Sequence, residues 1–395
     1  MLVQSPAGGR TPPDLRRARL ATATLFFANG CGLGSWLPHI PEVKIWHGLS
    51  DGVLGLALLA IRRRGRLAAG RGRAHRALRQ PADLAGGSAP VLRRAALAAA
   101  RRELPLLLAA CVLLGIGIGA LDVSMNAHAV LVEERYGRPI MSSFHGLFSL
   151  GGLVGAALAG GAMQVGLPPA PHLVTAAAVL GAAVLAAWPL LLPTAPAPAG
   201  GPLFVLPRGR LAVLGAVALI AFMAEGAMGD WSAIYIRMEL GASPATAAFG
   251  FGAFSLTMAI GRFSGDRLVA RFSPAAILVA GAVVGALTLG VALLAGHPAA
   301  AAIGFAGMGL GLANVAPIVF SAAGRLPELA PGIGIAAVST AGYCGFLAGP
   351  PLIGLVAEAS GLPVGLGLVA LSVGFMLLGT GALQRQAVRA AALAG

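Results

Sequence analysis

Apolar residues run along this chain in blocks of about twenty, each near the length that crosses a ~30 Å hydrocarbon core. The blocks are bounded by charge or by Pro and Gly. Ten stand out, near 20–40, 104–127, 141–162, 171–193, 211–236, 245–268, 274–294, 299–322, 331–356 and 363–384. Each predicts a membrane-crossing helix, which satisfies every backbone polar group within its own segment. The first run follows Arg16, Arg17 and Arg19 but is too long for a signal peptide and lacks a cleavage site, so it is expected to stay as an uncleaved helix. The stretch Pro193-Thr-Ala-Pro-Ala-Pro-Ala-Gly-Gly-Pro202 breaks any helical ladder and divides four runs from six. A linker over 194–210 is therefore expected between an N-terminal bundle, 1–193, and a C-terminal bundle, 211–395.

Residues 62–102 depart from this pattern. Eight Arg lie between Arg62 and Arg79, and at about 3 kcal/mol each near the bilayer centre they would oppose insertion by roughly 24 kcal/mol, against only about 0.6 regained per Leu. No spanning helix is expected there. The flanks, Leu49–Ile61 and Leu104–Ala110, nonetheless read as one helix just starting and another starting afresh. Of the 41 residues, 31 are Arg, Ala, Gly or Pro, the residues that GC-rich DNA encodes when read out of frame. A pair of compensating frameshifts replacing two helices is one reading. A basic loop, or an arm for anionic lipid or nucleic acid, is the other, although no aromatic residues interleave to stack on bases and no nucleic-acid partner is expected.

Composition excludes a soluble globular enzyme: of 395 residues 57% are hydrophobic and 11% charged, and the mean hydropathy is +0.84. Cys31, Cys111 and Cys344 are isolated in apolar runs, which excludes a disulfide framework or a thiolate metal site. No Walker, G-x-S-x-G or H-E-x-x-H motif is present, and neither cofactor nor metal is expected. The net charge of +14 is local, since 62–102 holds twelve Arg and one acid, Asp83. Elsewhere fourteen Arg fall in loops on the N-terminal side of the bilayer, while Lys44 and Arg237 fall on the other. That asymmetry predicts both termini in the cytoplasm of a bacterial-type cell, with the chain in the inner membrane.

Ten runs plus two lost ones make twelve, split six and six. The loop Gly261-Arg-Phe-Ser-Gly-Asp266-Arg267-Leu-Val-Ala-Arg271-Phe, the run Gly115-Ile-Gly-Ile-Gly-Ala-Leu-Asp122-Val-Ser-Met-Asn126, the opening Arg138-Pro-Ile-Met-Ser-Ser-Phe-His145-Gly and the run Glu225-Gly-Ala-Met-Gly-Asp230-Trp231 resemble the major facilitator superfamily. They are most similar to its fucose-permease-like and MosC-type branch. The resemblance covers 1–61 and 104–395; Gly70–Arg79, where a second loop signature is expected, lacks the aspartate. It implies an all-α polytopic fold of two six-helix bundles around a cavity lined by the first, fourth, seventh and tenth helices. The implied activity is alternating-access transport of a small polar, sugar-like solute, coupled to protons, by a monomer in contact with membrane lipid. A membrane-embedded sensor or enzyme, or the inactive product of a frameshifted gene, is the alternative.

Acidic groups within spans are costly and mark function. Glu225, near mid-depth, reads as a substrate or proton site, or as a carboxyl used in packing. Asp122 and Asn126, four apart, share a helix face. With Ser142, Ser143 and His145 they read as a proton relay, a gate, or, for His145, an interhelical hydrogen bond. Asn29, Asn314 and Tyr343 complete the mid-depth polar set, Asn314 serving either the cavity or helix contact. Gly261, Asp266, Arg267 and Arg271 read as gate parts or as a positive anchor. No Arg is expected at mid-membrane in the clear spans, which argues against a phosphorylated solute. Gly115/Gly119 and Gly151/Gly155 would let helices approach closely.

Overall fold

The computed structural model describes residues 13–68, 104–137, 140–193, 208–324, 326 and 331–379. Most of the Arg-rich segment, the second loop signature and most of the linker lie outside these. All ten apolar runs are helical over most of their described residues. The N-terminal group holds α1 (Pro13–Trp36), which continues through a 3-10 turn into α2 (Ile40–His47), then α3 (Asp51–Ala68), α4 (Leu104–Tyr136), α5 (Met141–Gln164) and α6 (Pro169–Ala187). The C-terminal group holds α7 (Arg210–Ile234), α8 (Pro244–Arg271), α9 (Pro274–Ala295), α10 (Pro298–Leu312), α11 (Val315–Gly324), α12 (Pro331–Ser360) and α13 (Leu362–Phe375). No strand occurs among the described residues. Seven of their helical segments are long and apolar enough to cross a membrane. Large apolar side chains such as Leu294, Ile303, Phe249 and Leu287 stand on the outside, as lipid-facing surfaces require. The face where α1 begins is called here the near face, and the one where α1 ends the far face.

Two sequence expectations change. The helix expected merely to start before residue 62 runs on through Arg62–Arg66 to Ala68, since arginine is a good helix former and the backbone geometry carries no charge penalty of its own. The signature from Gly261 to Arg271, read as a loop, forms the C-terminal part of α8. Its glycines lie on the packed side, and Asp266, Arg267 and Arg271 are exposed toward the helix end, where long side chains reach polar surroundings.

Close helix contacts follow the small residues. α1 and α5 run parallel, with Gly30 and Gly34 set against the backbone of Phe148 and Gly152, and Gly151 and Gly155 against the backbone of Phe27 and Cys31. A Cβ on any of the four would collide with main chain. Between the two groups, α5 lies along α8 and α3 along α12, where Gly55 abuts the backbone of Pro350 and Gly354 that of Asp51. The span made by α10 and α11 is broken at Ala313–Asn314 because Pro317 offers no N–H to the carbonyl four residues before it.

One polar tie fixes the near side of the N-terminal group. Thr22 Oγ donates to the carbonyl of Ala18 at 2.7 Å, His128 Nδ1 lies 2.9 Å from the same Oγ, and the backbone N–H of Leu192 donates to His128 Nε2 at 2.9 Å. With Thr22's proton committed to Ala18, only an Nδ1–H imidazole satisfies all three bonds. It holds α1, α4 and the end of the α6 segment together. His128→Leu should cost about 1–3 kcal/mol, the cost of orphaning buried partners, and lower the melting temperature of the detergent-solubilised protein; an unchanged melt would show the tie to be dispensable.

Candidate functional site

Where α5 of one group meets α7 and α8 of the other, a charged network crosses the seam. Arg262 Nη2 pairs with Glu225 Oε1 at 3.1 Å, while Arg262 Nη1 donates to Ser149 Oγ at 2.8 Å and to the carbonyl of His145 at 3.4 Å. Ser149 in turn donates to that carbonyl at 3.2 Å. One guanidinium thus ties the two halves together. Arg262 is 9% exposed and Glu225 24%, so the carboxylate faces an opening and the cation lies behind it. Breaking such a pair by removing one partner leaves a buried uncompensated charge, at a cost of about 3–5 kcal/mol.

This overturns the expectation that no arginine sits at mid-membrane in the clear spans. Arg262 lies nine residues from the end of α8, about 14 Å inside at ~1.5 Å per residue. Its neighbours Asp266, Arg267 and Arg271 give the local sequence the look of a charged loop. The contrary signal was in the register: Ser255, Met258, Arg262 and Gly265 follow one buried helical stripe. The case against an anionic solute loses its premise.

An aromatic wall stands one turn from Glu225. Phe222, three residues before it on α7, approaches Phe320 of α11 at 6.2 Å and Tyr343 of α12 at 6.3 Å between ring centroids. Phe222 and Phe320 are half-buried and Tyr343 is 40% exposed, so this wall too keeps an open side. Neither phenylalanine was singled out from sequence, where aromatic residues in apolar runs carry no mark of function.

The other sequence candidates divide. Asn126 Nδ2 donates to the backbone carbonyl of Asp122 at 2.8 Å and lies 3.3 Å from Asp122 Oδ1, so these two meet on one face of α4 as their spacing requires. The ring of His145 stands edge-on to Phe26 at 5.3 Å, and Phe26 stacks on Phe144; its backbone carbonyl, rather than its ring, receives Arg262. Asn29 is buried, with Nδ2 3.6 Å from Met125 S across the α1–α4 contact. Asn314, at the break between α10 and α11, donates to the carbonyl of Gly261 at 3.2 Å. A Cβ at Gly261 or Gly265 would strike Ala313 or Asn314 itself, so these glycines make room for that contact. Asp266, Arg267 and Arg271 are exposed at the near end of α8, Arg271 lying over the Phe272 ring at 5.8 Å.

On the far face a second set of contacts joins the halves. Arg237, after α7, pairs with Glu42 of α2 at 3.1 Å and donates to the carbonyl of Ala242 at 3.1 Å. The backbone N–H of Gly52, in the first turn of α3, donates to Glu358 Oε2 near the end of α12 at 3.0 Å. Lys44 and Asp51 pair beside them at 2.7 Å.

No family profile matches the chain. It is 37% identical over 362 residues to an MFS-type transporter of Yersinia pestis, covering 89% of this chain and 92% of that one. It is 33% identical over 377 residues to the membrane protein MosC of Rhizobium meliloti, covering 90% and 88%. Its fold is similar to that of the nucleoside transporter NupG, with a TM-score of 0.67 at 14% identity over 93% of this chain and 98% of that one. It is similar also to the fucose:proton symporter FucP of E. coli, with a TM-score of 0.59 at 17% identity over 92% and 97%. By that sequence relation and its stack of apolar helices, the chain belongs to the major facilitator superfamily and is a multi-pass membrane transporter, not an enzyme.

Proposed function

We propose that this transporter moves a small hydroxylated organic solute across a bacterial inner membrane by alternating access, coupled to protons, with Glu225 as the proton-carrying group. The observation that carries the reading is the Glu225–Arg262–Ser149 network, a titratable carboxylate at a partly open position on the seam along which two halves would rock. Protonation of Glu225 dissolves its pairing with Arg262 and so alters the bond between halves, which is the differential interaction that a coupled conformational change needs. The near face is assigned to the cytoplasm on the distribution of basic residues outside 62–102, thirteen to two once the buried Arg262 is set aside, and the boundary between bundles to 194–210. The far-face contacts then describe an arrangement shut toward the outside. Phe222 and Tyr343 offer apolar faces to the C–H side of a ring, while Asp122 and Asn126 offer hydroxyl partners. A fucose:proton symporter sharing the fold supports both the solute class and the proton.

The test is uptake into proteoliposomes of a panel of sugars, polyols and hydroxy acids, with and without an inwardly directed acid gradient. Gradient-driven accumulation of at least one class is expected. In Glu225→Gln, driven uptake should fall to background while solute counterflow persists. Driven uptake unchanged in that variant removes Glu225 from the mechanism; background uptake of the whole panel by the wild type favours a sensor without net transport.

A further inference from the structure

Arg262 is buried, and the formal negative charge it pairs with across α7 and α8 is the carboxylate of Glu225. The remaining acceptors, Ser149 Oγ and the His145 carbonyl, are neutral. Accepting the reading of Glu225 as the proton carrier, its protonation would strand a buried guanidinium without a counter-ion. A neutral solute does not repair that defect, whereas a carboxylate does, and a guanidinium fork suits a planar two-oxygen anion. Conversely, an anion entering while Glu225 is ionised brings two negative charges to one cation.

From this we infer that Arg262 is the anion-binding group of the cavity and that the transported solute is a hydroxylated monocarboxylate, of the aldonate or uronate kind. It enters with one proton: the solute's carboxylate takes the place on Arg262 that the Glu225 carboxylate leaves as it becomes a neutral acid. Charge balances in each permitted form. Empty, the site holds one anion and one cation; loaded, it holds the neutral Glu225 acid, the Arg262 cation and the solute anion. The two half-loaded forms, proton alone or solute alone, each leave a net buried charge, and their exclusion makes the coupling obligatory with no further device. Phe222 and Tyr343, a turn away, would take the apolar face of the solute's carbon chain or ring.

Calorimetric titration of the purified protein in detergent tests this with D-gluconate, D-glucuronate, the neutral D-glucitol and a sugar phosphate. Runs in two buffers of different ionisation enthalpy count the protons taken up. The expected result is binding of a hydroxy acid with uptake of one proton per anion, about tenfold weaker per pH unit once Glu225 is ionised, and no binding of glucitol. In Glu225→Gln the proton uptake should vanish, and gluconate affinity should lose its dependence on pH. Arg262→Gln should weaken binding at least a hundredfold, with partial recovery in Arg262→Lys. Should Arg262→Gln fail to fold, the proton count in Glu225→Gln decides the matter alone. In proteoliposomes, acid-driven gluconate uptake should be indifferent to a valinomycin-set potential. Equal uptake of glucitol or uptake that follows the potential overturns the anion site, and preference for the sugar phosphate overturns the monocarboxylate, each while leaving proton-driven transport standing. Absence of driven uptake for every probe overturns both.

Discussion

Gly151→Leu is expected to yield no correctly folded transporter, because the new side chain has nowhere to go. A Cβ at that position lands on the carbonyl of Phe27 and against the backbone N of Cys31, both in the interior of α1. A flexible neighbour could swing away at a cost of about 1–3 kcal/mol. Helical backbone cannot do so without breaking its own hydrogen bonds. Gly30, Gly34 and Gly155 hold the same parallel contact elsewhere along the seam, so moving α1 outward to admit one leucine forfeits the rest. The loss should therefore exceed about 4 kcal/mol, in the range that only severe core defects reach. Gly161→Leu, on the same helix where an added Cβ meets nothing within 4 Å, should change stability by less than about 0.5 kcal/mol. Size-exclusion profiles and melting curves of the two variants in one detergent check the contrast. A monodisperse Gly151→Leu protein with near wild-type stability would mean that α1 and α5 are not held at backbone contact.

The ten helices were legible from sequence because lipid imposes both a length and an apolar composition on them. The resemblance to a known superfamily, resting on a few short motifs, agreed with the sequence relatives. What the chain did not disclose was partnership across helices. Arg262 and Glu225 are 37 residues apart, and Ser149 a further 76 before Glu225; hydropathy alone treats each as an isolated cost. The register of Arg262 on the buried stripe of α8 was the available clue, and it was masked by the charges that follow it. Asp122 and Asn126 were legible because they lie on one helix, where spacing fixes geometry. Asn29 and Asn314 had the depth expected of cavity residues, but depth does not give azimuth, and both are buried against neighbouring helices. Glu42, Arg237 and Glu358 sit at span ends, where charges are ordinary, so nothing in their local sequence distinguished the far-face contacts.

Those far-face contacts are the basis of the second large effect. Arg237→Glu should move the population of the transporter toward an arrangement open at the far face by on the order of 30- to 100-fold, about 2–3 kcal/mol. The pair with Glu42 is partly exposed, at 30% and 21% for the two side chains, so its loss alone is worth only about 1 kcal/mol after screening. Reversal adds repulsion between two carboxylates at the same place and removes the bond to the Ala242 carbonyl. The near-face arrangement gains nothing from the change, so the whole difference falls on the equilibrium between states. A reporter lies within reach: Leu37, buried beside Gly229 across the two halves, replaced by cysteine in a background without Cys31, Cys111 and Cys344. Labelling of that thiol by a membrane-impermeant maleimide should be slow in the parent and faster by roughly the population factor in Arg237→Glu. Exchanging the two charges, Glu42→Arg with Arg237→Glu, should return the rate toward the parent. Glu358→Gln weakens a separate contact, the one to the Gly52 N–H, so its smaller effect should add to that of Arg237→Glu rather than merge with it. Equal labelling rates in all four proteins would mean that the ion pair at the far face does not hold the two halves shut.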